Sequence, residues 1–265
     1  MPPAKAAPAL SAPVAGLPLF YRRPQVLHPA AHGGLLLDTE AGHGFAAAAN
    51  AVPLQAAEVV AASRHAPVVF SRGADPMPLM VLGLQAGQGN LFVDAQGRWR
   101  PGAYIPAYVR RYPFLFLEDA AQAAFTLCID EAAPGLQPAA AQPGERVPGG
   151  AQPLFDARGE PTALTRSALD LCRDYQAQQG VTRTWMQALA AAGVLVERRA
   201  DVVLADGRSL AVDGFQVIDE ERLATLPAAE LLRWRDAGWL PAVYAHLASA
   251  GLWPTLADMA SHRPT

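Results

Sequence analysis

Aromatic rings interleaved with arginines are the densest chemistry in this chain: Trp99, Tyr104, Arg110, Arg111 and Tyr112 all fall within residues 99–112. Aromatics supply flat apolar area and arginine supplies forked donors, a pairing that suits a sugar face, a carboxylate or a peptide. These five are the expected ligand- or partner-binding residues. The plainer reading also stands, with Trp99 and Tyr112 in the core and the arginines paired with Glu118 or Asp119. Histidines form the second candidate. His28 and His32 are four apart, with His43 nearby, and on a helix that spacing puts two imidazoles on one face, as zinc sites use. Pro29 and Gly33-Gly34 argue against a regular helix there, and no His-Glu-x-x-His pattern occurs. No metal site and no cofactor are therefore expected.

No catalytic residue is identified. There is no Gly-x-Ser-x-Gly elbow, and nothing beside Ser71 in Ser71-Arg72-Gly73 would activate its hydroxyl. Gly83, Gly87 and Gly89 match neither a P-loop nor a dinucleotide fingerprint, so a turn is their expected role. The pairs Glu118-Asp119 and Asp130-Glu131 and the run Asp219-Glu220-Glu221 fall at element ends, where capping and solvated charge account for them.

The elements that must position the aromatic block are short. Strands are expected at 26–28, 35–38, 68–71, 79–82, 114–117 and 124–130, with 90–93 and a return strand at 98–100 around an Asp94 to Gly97 turn. Those at 68–71 and 79–82, with two strands of the 85–130 stretch, make a meander that suggests a largely antiparallel sheet. Proline at a first helical position and apolar spacing predict a helix over 53–63. One or two helical turns over 104–112 end before Pro113. Leu17 to Pro24 carries apolar and aromatic residues that need cover, and 45–52 is ambiguous between strand and helix. Residues 132–153, rich in Ala, Pro, Gly and Gln, read as a long surface loop. Beyond it, Leu154 to Gly159 echoes Leu91 to Gly97, as two similar turns.

The second half changes period. Leu164, Ala168, Leu171, Cys172 and Tyr175 make one helical stripe terminated at Gly180, and Thr182 caps a second helix ended by Gly193. Short strands at 194–197, 202–204, 208–212 and 215–218 flank Asp206-Gly207, the strongest hairpin signal in the chain. Asp219 caps a short helix, Pro227 opens another, and Pro241 begins a last one stopped by Gly251. The fold class is α+β: an antiparallel strand-rich N-terminal half, then a helix-rich C-terminal half containing a β-hairpin.

The chain has 265 residues, 51% of them hydrophobic, which is enough to bury a sizeable core. Its formal charge of −3 argues against broad electrostatic capture of nucleic acid. Cys128 and Cys172 lack metal-ligand spacing and read as buried thiols. Residues 1–16, Ala- and Pro-rich with prolines 2, 3, 8 and 13, read as a disordered tail without a secretory h-region. No apolar run is long enough to span a bilayer. The expected organisation is this tail followed by a single α+β domain over 17–260, in a soluble cytoplasmic protein.

Six blocks carry a family resemblance: Pro67-Val-Val-Phe70, Asn90-Leu-Phe-Val-Asp94, Trp99, Tyr104-Ile-Pro-Ala107, Arg110-Arg-Tyr-Pro-Phe114 and Leu240 to Ser249. The chain is similar over residues 17–257 to the bacterial SapC family, named from a surface-layer locus and distinct from the like-named peptide-transport permease. Family members are often encoded beside TonB-dependent receptors, so the resemblance implies a role tied to the cell surface or to nutrient uptake. It transfers no catalytic residues. The leading expectation is a non-enzymatic binding or accessory protein whose contact surface is the aromatic and arginine block and whose partner is a protein or a small molecule. An enzyme acting on a small molecule or peptide, metal-dependent through His28, His32, His43 or His246, is the alternative. A structural surface-layer role would require export.

Overall fold

The structure is a computed structural model that describes residues 17–85, 87–119, 124–139 and 150–262. The expected tail at 1–16 lies outside the described residues, as does 140–149 of the expected loop. In chain order the elements are β1 (Pro24–Val26), α1 (Pro29–His32), β2 (Leu35–Asp38), β3 (Ala51–Pro53), α2 (Val59–Ala62), β4 (Val68–Ser71), β5 (Pro78–Val81), α3 (Ala107–Arg110), β6 (Phe114–Asp119), β7 (Ala124–Asp130), β8 (Leu136–Pro138) and β9 (Ala151–Pro153). The long helix α4 (Ala163–Ala191), the hairpin β10 (Leu195–Val203) and β11 (Ser209–Ile218), and the helices α5 (Glu220–Ala224), α6 (Ala228–Asp236), α7 (Leu240–Ser249) and α8 (Trp253–Ser261) follow. Strand pairing is antiparallel throughout these sheets, and the α+β class holds.

The strands form three sheets, ordered β1-β7-β6, β10-β11-β4-β5-β3 and β8-β2-β9, so β4 and β5 of the expected meander lie in a different sheet from β6 and β7. The C-terminal hairpin joins β4, so the first and last thirds of the chain share the five-stranded sheet. Its main core buries Phe70, Met80, Phe215 and Val212 against Trp185, Leu189 and Val243. A second cluster, with Leu37, Phe114, Ile129, Leu154, Phe155 and Cys172, holds the other two sheets to the N-terminal half of α4. The described ends of 132–153 are strands, β8 and β9, which flank β2 on its two sides.

Tertiary packing overrode several local signals. Helix α4 runs through Gly180, although glycine inside a helix costs about 1 kcal/mol relative to alanine. Burial of Trp185, Met186 and Leu189 beyond it offsets that cost. Thr182, expected to cap a second helix, is buried mid-helix and accepts from the Ala56 N–H at 2.9 Å, its hydroxyl lying 2.7 Å from Gln55 Oε1. The helix expected over 53–63 shrinks to a 3-10 turn at Ala56–Glu58 and the single turn α2, because Pro53 pairs in β3. The four strands expected around Asp206-Gly207 fuse into two long ones with a bulge between Arg198 and Ala200. Helix α8, absent from the sequence reading, follows Gly251 with Pro254 in its first turn.

The two echoing turns are alike in detail. Asp94 Oδ1 accepts from the N–H groups of Gln96 and Arg98, and Asp156 Oδ1 from those of Arg158 and Glu160. Each turn closes in a single bridge, Val93 with Trp99 and Phe155 with Pro161, rather than in full strands at 90–93 and 98–100. Glycine is required at 89, whose φ is +70° and where a Cβ would lie 2.1 Å from the Ala47 carbonyl oxygen.

Candidate functional site

Between α3 and β6 the chain passes through Arg111, Tyr112 and Pro113. Pro106 precedes α3 in an extended conformation, which limits the helix to one turn. Such a short helix has no stability of its own. Glu58 anchors it: its buried Oε1 accepts from the Ala107 N–H and from the Tyr104 hydroxyl, each at 2.7 Å, and its Oε2 from the Gln55 N–H at 2.8 Å. Burial and the Glu58 carboxylate push the Tyr104 phenol well above its ordinary pKa. Asp130 fixes the far side. Its oxygens accept from the N–H groups of Arg22, Arg23 and Ala132 and from the Tyr112 hydroxyl at 3.2 Å.

Arg111 is held on ring faces. Its guanidinium carbon lies 4.1 Å from the Tyr175 ring centre, 4.4 Å from that of Tyr108 and 5.8 Å from that of Tyr21. Burial works against the charge, but the surrounding Tyr21, Tyr175, Tyr108 and Cys172 outweigh it, and the pKa rises above the usual arginine value. Arg111 is thus a permanent cation. Its Nε is buried without a hydrogen-bond partner, and among the described residues no carboxylate forms an ion pair with it. The same burial pushes the Tyr175 phenol up to about 12 and the Cys172 thiol up to about 11, so both remain protonated at neutral pH.

Arg110, Arg111 and Tyr112 stand in the wall of a cavity of about 380 Å3, a size typical of small-molecule sites. The loop after β2 supplies Asp38, Thr39, His43 and Phe45, and α4 supplies Leu164, Ser167, Ala168 and Leu171. Phe45 stacks on Tyr112 with ring centres 4.1 Å apart. Phe20, from the segment that needed cover, packs edge-on against Phe45, Tyr108 and Tyr112. Burial lowers the pKa of His43, so this imidazole is neutral at physiological pH.

Three of the five expected binding residues therefore share one wall, and two lie elsewhere. Trp99 is in the main core, stacked on Phe92 at 5.9 Å, and Tyr104 is bonded to Glu58. The Glu118 and Asp119 side chains, expected as arginine partners, lie outside the described ones; the Arg110 Nε donates to the Ile105 carbonyl. The α4 residues of the wall were visible in the sequence only as an apolar stripe, which core packing would produce equally well. In the loop after β2 the sequence had marked only His43, as a metal-ligand candidate, and Tyr21 only within a segment needing cover; nothing singled out Tyr108.

The histidines do not converge. His28 caps α1 by accepting from the Ala30 N–H, so a helical turn does form there despite Pro29, which occupies its first position. His32 is buried beside Glu131, and His246 lies between β4 and β11. Among the described residues no three His, Cys, Asp or Glu side chains are placed to hold a metal ion. Nor, among them, is any helix long and apolar enough to cross a membrane.

Comparison with known proteins gives one match: the SapC family model matches residues 27–256. No curated protein and no solved structure matches the chain.

Proposed function

The chain belongs to the SapC family, and from that premise we propose that it is a non-enzymatic binding or accessory protein that captures a small anionic molecule in the cavity beside Arg111. The observation that carries this reading is a half-buried, ring-stacked guanidinium at a cavity wall, with its Nε buried and no carboxylate partner among the described residues. A buried charge left unpaired is costly, and an incoming anion would relieve that cost. Residues 17–260 act in this reading as one folded unit in the cytoplasm, serving cell-surface or TonB-dependent uptake systems as the family resemblance implies. The metal-dependent enzyme reading is disfavoured because, among the described residues, His28, His32, His43 and His246 do not gather with other ligands into a three-residue site.

Melting curves in the presence of benzoate, octanoate or inorganic phosphate, set against the neutral amides of the two acids, test this. At least one anion should raise the melting temperature where its neutral analogue does not, as a ligand specific to the native state must. Arg111→Gln should weaken that anion at least tenfold, and Arg111→Lys should recover it only in part because the planar fork is lost. No shift with any anion, or equal affinity in Arg111→Gln, would overturn the reading.

A further inference from the structure

The composition of the cavity wall narrows the class of ligand. Besides the arginines, the titratable residues among its described lining are Asp38, His43 and Tyr112, whose phenol burial and Asp130 hold protonated. Asp38 ends β2 with a carboxylate at the wall; its Oδ1 accepts from the Glu40 N–H at 2.8 Å and is thereby held in place. A second negative charge on the ligand would meet that carboxylate. Most of the remaining wall is apolar: Leu37 and Phe114 belong to the second core cluster, and Leu164 and Ala168 pack against it. Water in such a space is poorly bonded and is displaced favourably by hydrocarbon. The wall is also open to solvent, because Ala41, Arg110 and Ser167 are exposed, so a small molecule has a route in.

We propose that the occupant is a monocarboxylate with an apolar body, its head group meeting Arg110 and Arg111 and its body lying along Phe114, Leu164, Ala168 and Leu171. This rests on the anion-binding reading above and goes beyond it. Arginine favours a carboxylate because two parallel N–H groups match its two oxygens. The volume, near the low end of the range for small-molecule sites, suits a single short chain or an aryl group rather than a two-chain lipid.

The test is calorimetric titration of the full chain with a straight series of monocarboxylates from acetate to decanoate. Affinity should climb by up to about fourfold for each added methylene until the wall is filled, as burial of hydrocarbon requires. Octanedioate should bind at least tenfold more weakly than octanoate, because its second carboxylate approaches Asp38 or stays in apolar surroundings. Ala168→Leu, which fills the space beside the tail, should weaken octanoate several-fold and leave acetate unchanged; circular dichroism checks that this variant is folded. Should acetate or inorganic phosphate bind in an Arg111-dependent way with no gain from tail length, the apolar monocarboxylate is wrong and anion capture stands. If octanedioate binds as tightly as octanoate, the single-charge requirement is wrong. If no anion binds at all, both readings fail together.

Discussion

Glu58→Ala is expected to lower the unfolding free energy by about 3–5 kcal/mol, since each buried donor left without an acceptor costs about 1–3 kcal/mol. The substitution strands the N–H groups of Gln55 and Ala107 and releases the Tyr104 hydroxyl, which is only half-buried and can turn to water. Glu58→Gln separates the contributions. Its carbonyl oxygen can take the Oε1 partners, Ala107 and Tyr104, but its amide then faces the Gln55 N–H donor to donor, so a loss of about 1–3 kcal/mol is expected. Urea unfolding measures both. Because the anchored Ala107 begins the turn that ends at Arg110, Glu58→Ala should also weaken any anion that Arg111→Gln weakens. Full stability in Glu58→Ala would show that α3 is held by its apolar packing alone.

Acid should destabilise this protein through His246. In the five-stranded sheet, β11 and β4 pair at Phe215 with Ser71 and at Gln216 with Phe70. Continuing that register would bring Ile218 opposite Val68, but the imidazole of His246 from α7 lies between them instead. Its Nε2 accepts from the Ile218 N–H at 3.0 Å and its Nδ1 donates to the Val68 carbonyl at 2.8 Å. The Ser249 hydroxyl, one turn on, accepts from the Val68 N–H. The ring can serve as both donor and acceptor only when neutral, and burial lowers its pKa from 6.5 to about 4.

In the unfolded chain His246 takes a proton near pH 6.5, whereas the folded chain resists it down to about pH 4. The unfolded state therefore binds more protons in that window, and stability falls as pH drops through it. At about 1.36 kcal/mol per pKa unit, the loss between pH 7 and pH 4 from this group is about 3 kcal/mol. Unfolding curves at the two pH values should show it. His246→Ala should be less stable at pH 7 by several kcal/mol, because it orphans two backbone groups, and should show a shallower pH dependence than the parent chain. An equal pH dependence in the two proteins would assign the acid sensitivity to other groups.

Much of the fold was legible because its signals are local. Gly at 207 after Asp206 sets a turn that the hairpin requires, and its φ of +82° is one that side chains rarely adopt. Asp219 caps α5 by accepting from the Arg222 N–H, as its position before Glu220-Glu221 suggested. Strands 35–38, 68–71 and 124–130 were recognisable from short apolar or alternating runs. Helix breaks were less legible: Gly180 and Thr182 look like a stop and a start, and only the core waiting for Trp185 carries α4 through them.

The site divides in the same way. The sequence by itself determined that Arg110, Arg111 and Tyr112 stand together, because neighbours on a short turn between two prolines cannot separate. It also determined the α+β class, which follows from a period of two giving way to a period of 3.6. Only the tertiary structure decided that Tyr21, Tyr108 and Tyr175 come from three distant segments to surround one guanidinium. It likewise decided that Trp99 lies in the core, that the four candidate histidines do not converge on one site, and that β2 and α4 enclose a cavity with Arg111. The reason is physical: charge, turn and period act over a few residues of chain, whereas a pocket is set by which surfaces are buried against one another, and linear order does not encode that directly.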